Sequence, residues 1–159
     1  MSATLVLERA TEQSSDIGQR CGVYRSEFGL AARFDPDIGA IRLKAESVSG
    51  VMVPATLGRN VLTLLDAVPV FSIDHRGHHV WMLLAQAPTS RDEAEHLTFR
   101  LFNVGVKPVF SRATIAVPTP GDPRRVWLYP PRGRTRPTPA ALCEAIIAAA
   151  THGAERAHA

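Results

Sequence analysis

Residues 68–84 read VPVFSIDHRGHHVWMLL, and this stretch decides the fold class. Two apolar runs, 68–73 and 78–84, carry Val, Ile, Phe, Trp and Leu, the residues that suit a half-buried pleated surface. Between them Asp74-His75-Arg76-Gly77 supplies turn chemistry, with Asp74 and Gly77 bracketing the reversal. The stretch is therefore predicted to be a β-hairpin.

Upstream of the hairpin, residues 38–44 and 48–53 read as two short strands joined by the polar Glu46-Ser47. Residues 55–66 read as a helix, because Leu57, Val61, Leu64 and Leu65 fall at helical spacing. Downstream, Ser90 is a good N-cap, and Glu93 three residues later completes a capping box. Ala94, Leu97, Leu101 and Phe102 give that second helix its apolar stripe, and Asn103 and Gly105 end it. Short strands are predicted over 107–111, 114–117 and 125–129. A Pro/Arg-rich loop over 130–139 and a final helix over 140–150, opened by Thr138 or Pro139, complete the reading. The order ββα, ββα, βββ, α predicts an α+β fold: a mixed or antiparallel sheet of short strands packed with about three helices on one side.

Residues 1–22 show no clear period and read as an N-terminal extension, partly flexible, with a short strand over 4–7 and a join around 14–18. Residues 23–150 form the expected single domain, and 151–159 a frayed tail. The chain has 159 residues, 45% of them hydrophobic. One core of that size needs neither disulfide nor metal. Cys21 and Cys143 match no metal-ligand spacing, and the expectation is reduced thiols. The N-terminus lacks the pattern of a signal peptide, and no run reaches the roughly 18 apolar residues of a membrane span. The expected location is cytoplasmic, with no membrane partner.

The net charge of +3 is unevenly spread. Residues 101–159 hold Arg112, Arg124, Arg125, Arg132, Arg134 and Arg136 against only Asp122, Glu144 and Glu155, whereas the first hundred residues are slightly acidic. Such asymmetry suits a nucleic acid or nucleotide. It also suits plain coding habit: Lys44 and Lys107 are the only lysines. Trp127 and Tyr129 interleave with the arginines and either stack on bases or face the core together.

Some of these residues carry a resemblance. Arg76-Gly77-His78-His79-Val80-Trp81-Met82 resembles the glycine-histidine strand of the archaeo-eukaryotic primase-polymerases, and residues 113–121 with 125–129 resemble the late strands of the bacterial bifunctional primase/polymerase domain. Residues 39–43 and 48–53 are similar to the entry into the first catalytic strand. The resemblance spans about 38–150. It implies a primase-polymerase-like fold in which His79 lies near a nucleotide triphosphate. It also implies three metal-binding carboxylates, which this chain does not supply. Residues 50–55 and 103–112 contain no Asp or Glu.

The expectation is therefore a degenerate, non-catalytic domain with no cofactor, no metal and no catalytic residue. It would contact nucleic acid or nucleotide phosphate through Arg76, His79, Arg112, Arg124, Arg125, Arg132 and Arg134. The alternative is a regulatory module that binds a protein partner or forms a homodimer. His75, His78, His79 and Asp74 lack the spacing of a zinc site, because adjacent strand residues point to opposite faces. Asp35-Pro36-Asp37 reads as a loop, and Cys143 as a small buried hydrophobe.

Overall fold

A computed structural model describes residues 3–44, 46–110 and 113–158. The chain is α+β, and the described residues form four helices and two antiparallel sheets. In order they are α1 (Ala3–Ser26), β1 (Ala32–Asp35), β2 (Ala40–Lys44), β3 (Val48–Pro54), α2 (Ala55–Leu64), β4 (Val70–His75), β5 (His78–Gln86), α3 (Arg91–Phe102), β6 (Lys107–Val109), β7 (Thr114–Val117), β8 (Arg125–Tyr129) and α4 (Pro139–Ala157). The larger sheet has the order β6-β3-β5-β4-β8, and the smaller one the order β1-β2-β7.

Strand alternation explains the layering. On β3 and β5 the side chains of Val51, Val53, Trp81, Leu83 and Ala85 point to one face, where Val61 of α2, Leu97 and Leu101 of α3, and Leu142 and Ile146 of α4 cover them. Met82 and Leu84 point to the other face, against Ile41, Leu43, Ile115 and Val117 of the small sheet and Cys21 and Tyr24 of α1. The five-stranded sheet thus separates two apolar cores. Helices cover one face as expected, and the small sheet with the end of α1 covers the other. Close approach fixes both layers. A Cβ on Gly58 would meet the Trp81 ring at 2.4 Å, and one on Gly50 would meet the Met82 sulfur at 2.7 Å.

Three local expectations are corrected. Residues 4–7 and 14–18 belong to the helix α1, not to a strand and a join. Ile17, Cys21 and Tyr24 recur at helical spacing and pack into the second core, which favours helix over strand. The last helix continues past Ala150 to Ala157, because no Pro follows and Gly153 keeps a helical backbone rather than the positive φ of a C-cap. Phe102 leaves the buried stripe of α3 and stands 79% exposed, because Ala94, Leu97 and Leu101 alone turn inward. The caps behave as their residue types dictate. Ser90 Oγ accepts from the Glu93 N–H at 3.1 Å, and Thr138 Oγ1 accepts from the Ala141 N–H at 3.1 Å. The Glu93 carboxylate reaches one residue further than a capping box requires and accepts from Thr89 N–H and Thr89 Oγ1.

Candidate functional site: the hairpin tip and the arginine-rich edge

The hairpin forms with its reversal shorter than expected. Asp74 and His75 remain in β4, paired with His79 and His78, so that Arg76-Gly77 alone makes the turn. Both have positive φ, 52° and 79°, as a primed two-residue turn requires. Gly77 adopts that geometry freely, while Arg76 carries the side-chain penalty of a left-handed residue. Direct pairing puts His75 and His78 on one face and Asp74 and His79 on the other. The three histidines therefore do not converge, and Arg76 and His79 are exposed at the tip. Among the described residues no group of three or more His, Cys, Asp or Glu could hold a metal ion.

The arginines expected to bind phosphate are largely engaged within the chain. Asp122 accepts from the Arg124 backbone N–H (3.1 Å), from Arg124 Nε (2.9 Å) and from Arg125 Nη1 (2.6 Å), and its side chain is only 4% exposed. Burial raises the Asp122 carboxyl, and the bonds from Arg124 and Arg125 outweigh it, holding the group below its ordinary value. Arg134 Nη2 donates to the Ser26 carbonyl at 3.3 Å, and Arg136 Nη1 donates to the Phe28 carbonyl at 2.6 Å. These carbonyls lie at and just beyond the C-terminal end of α1, where orphan acceptors and the negative end of the helix dipole favour cations. Arg132 is exposed and its backbone bridges to Thr135. Arg112 lies outside the described residues.

The aromatic pair on β8 is split. Phe71 pairs with Trp127, whereas Val70 pairs with Tyr129, so the ladder slips by one residue at Leu128. A bulge of this kind turns the following side chain to the opposite face. Trp127 packs edge-on against Phe71, with ring centroids 5.3 Å apart, and its Nε1 donates to the Tyr24 hydroxyl at 2.9 Å. That hydroxyl in turn donates to the Pro118 carbonyl at 2.5 Å. Tyr129 goes to the helix side, where a groove of about 470 Å³ runs between it and Leu62, Leu65 and Val68. The expectation that both aromatics face one core together is thus corrected: only Trp127 does.

What remains open is an edge. Among the described residues β8 pairs only with β4, and it exposes Val126 (53%), Leu128 (39%) and Tyr129 (50%). The Asp74 N–H donates to the Arg124 carbonyl at 2.8 Å. By alternation, Arg125 and Trp127 then turn their backbone N–H and C=O outward. Sequence reasoning placed this strand correctly but missed its position at the sheet edge and its anchoring by Tyr24. The repeat of Ile17, Cys21 and Tyr24 was the available signal for that anchor.

No family model, curated protein or solved structure matches the chain. Among the described residues no helix is long and apolar enough to cross a membrane.

Proposed function

We propose that this chain works by binding rather than by catalysis, and that the outer edge of β8 is its protein-binding surface. The observation that carries the reading is the row of exposed apolar side chains along a strand with one unpaired side. Such an edge accepts an added strand through its free backbone groups. Pro123, Pro130 and Pro131 flank β8, so the added segment is short. A second copy of the chain fits this window. Two-fold antiparallel pairing about Trp127 sets Val126 of each copy against the partner's Leu128.

Light scattering across a concentration series tests the reading, with Val126→Lys/Leu128→Lys as the variant. The expected outcome is a concentration-dependent dimer for the parent chain and a folded monomer for the variant. A parent chain that stays monomeric throughout removes the homodimer.

The second reading is nucleic-acid or nucleotide binding by a degenerate primase-polymerase-like domain. Exposed Arg132, Arg76 and His79 support it, together with the one positive charge left over when Arg124 and Arg125 share Asp122. The engagement of Arg134 and Arg136 with α1 weighs against it.

A further inference from the structure

The outer face of the small sheet carries a charge arrangement that folding alone does not favour. Ala32, Phe34, Ile41, Leu43, Ile115 and Val117 turn inward to the second core. Their neighbours Arg33, Arg42, Lys44 and Thr114 therefore line the opposite face. Arg33 and Arg42 are direct cross-strand partners, and Lys44 pairs with Thr114. Like charges placed directly opposite each other destabilise a sheet.

One acid offsets part of this: Asp35 forms an ion pair with Arg42. Asp37 lines the same cleft, and its N–H donates to Asp35 Oδ1. The Arg42 guanidinium also donates to the Thr114 hydroxyl at 3.4 Å. Arg33 and Lys44 have no carboxylate in an ion pair with them among the described residues. The cleft over this face measures about 300 Å³ and is open to solvent. Ala116, the direct partner of Arg42, is small and leaves room for close approach.

We propose that this face binds the phosphate backbone of a nucleic acid through Arg33, Arg42 and Lys44. The site is independent of the β8 edge and of the arginine-rich C-terminal half. An open, shallow face buries too little of a small ligand to hold it, since small-molecule sites enclose most of their ligand. A polyanion gains by spanning several cations at once. Phe34 also lines the cleft, but it is half-buried against the second core. Contacts to phosphate read no base, so binding is insensitive to base sequence and steeply dependent on salt.

The experiment is an anisotropy titration with a labelled mixed-sequence single-stranded oligonucleotide over a salt series, with ATP and inorganic pyrophosphate as competitors. Arg33→Gln/Lys44→Gln should weaken binding about tenfold and lower the salt slope by about two. Asp35→Asn keeps the Oδ1 acceptor for Asp37 and releases Arg42, so binding should tighten severalfold, which a merely structural role would not produce. Arg9→Gln/Arg91→Gln removes two exposed charges elsewhere and should leave affinity unchanged. The proposal is overturned by an equal loss in that control, by an unchanged double variant, or by no oligonucleotide binding at low salt. It is equally overturned if ATP or pyrophosphate binds and the oligonucleotide does not.

Discussion

Tyr24→Phe removes one oxygen atom and separates three elements. The Tyr24 hydroxyl sits in the second core, donates to the Pro118 carbonyl and accepts from Trp127 Nε1. Burial is the main reason that its ionisation is pushed up, so the group stays neutral and acts as both donor and acceptor. Without it, a buried carbonyl loses its donor and the indole N–H loses its acceptor. Each buried unsatisfied group costs ~1–3 kcal/mol, and Trp127 is only half-buried, so the loss is about 2–4 kcal/mol in total. For a chain of this size that lowers Tm by roughly 5–15 °C. Urea unfolding followed by tryptophan fluorescence and by far-UV circular dichroism gives the free energy twice. Tyr129→Phe, on a half-exposed ring, is the control and should stay within about 0.5 kcal/mol of the parent. A Tyr24→Phe loss below about 0.5 kcal/mol would refute the claim that this hydroxyl joins α1 to the β8 edge.

Gly58→Ala forces a methyl into the Trp81 ring and should cost about 1–3 kcal/mol, measured by chemical denaturation. Asp122 has its folded-state ionisation lowered, so its contribution is complete above the ordinary carboxylate range and is lost as pH falls through the lower folded value. Asp122→Asn should therefore be less stable than the parent at neutral pH, and the difference should shrink on acidification. Cys21 and Cys143 are buried, which pushes both thiols up. Ellman's reagent should label them slowly in the native state and fully in urea, and rapid native labelling would show that either site opens easily.

The elements that were legible in the sequence are those whose signals are local. Ser90 with Glu93, and Thr138 with Pro139, announce helix starts within a few residues, and the 68–84 hairpin needs only its own turn. α1 was hidden because its apolar repeat is confined to Ile17, Cys21 and Tyr24, while Thr11, Gln13 and Ser14 dilute the preceding turns. β1 is four residues long, with Arg33 and Asp35 on its outer face, and resembles a loop. The division into two sheets was also illegible, since β2 finds β7 some seventy positions away, and no local pattern encodes that pairing. The same holds for the site. Arginine content is visible in the sequence, but whether an arginine faces solvent or a helix end depends on contacts such as Arg134 with Ser26.

Those contacts also set an order of events. The carbonyls at and just past the end of α1 are met by Arg134 and Arg136, each 108 positions later in the chain. During synthesis the first helix must therefore wait on the order of ten seconds for its cap to leave the ribosome. Through that interval Tyr24 and Cys21 have no finished core to enter, and the nascent chain presents an unsealed apolar surface. Truncation before residue 134 should leave those two carbonyls permanently without their cations, which makes the last quarter of the chain a lock on the first.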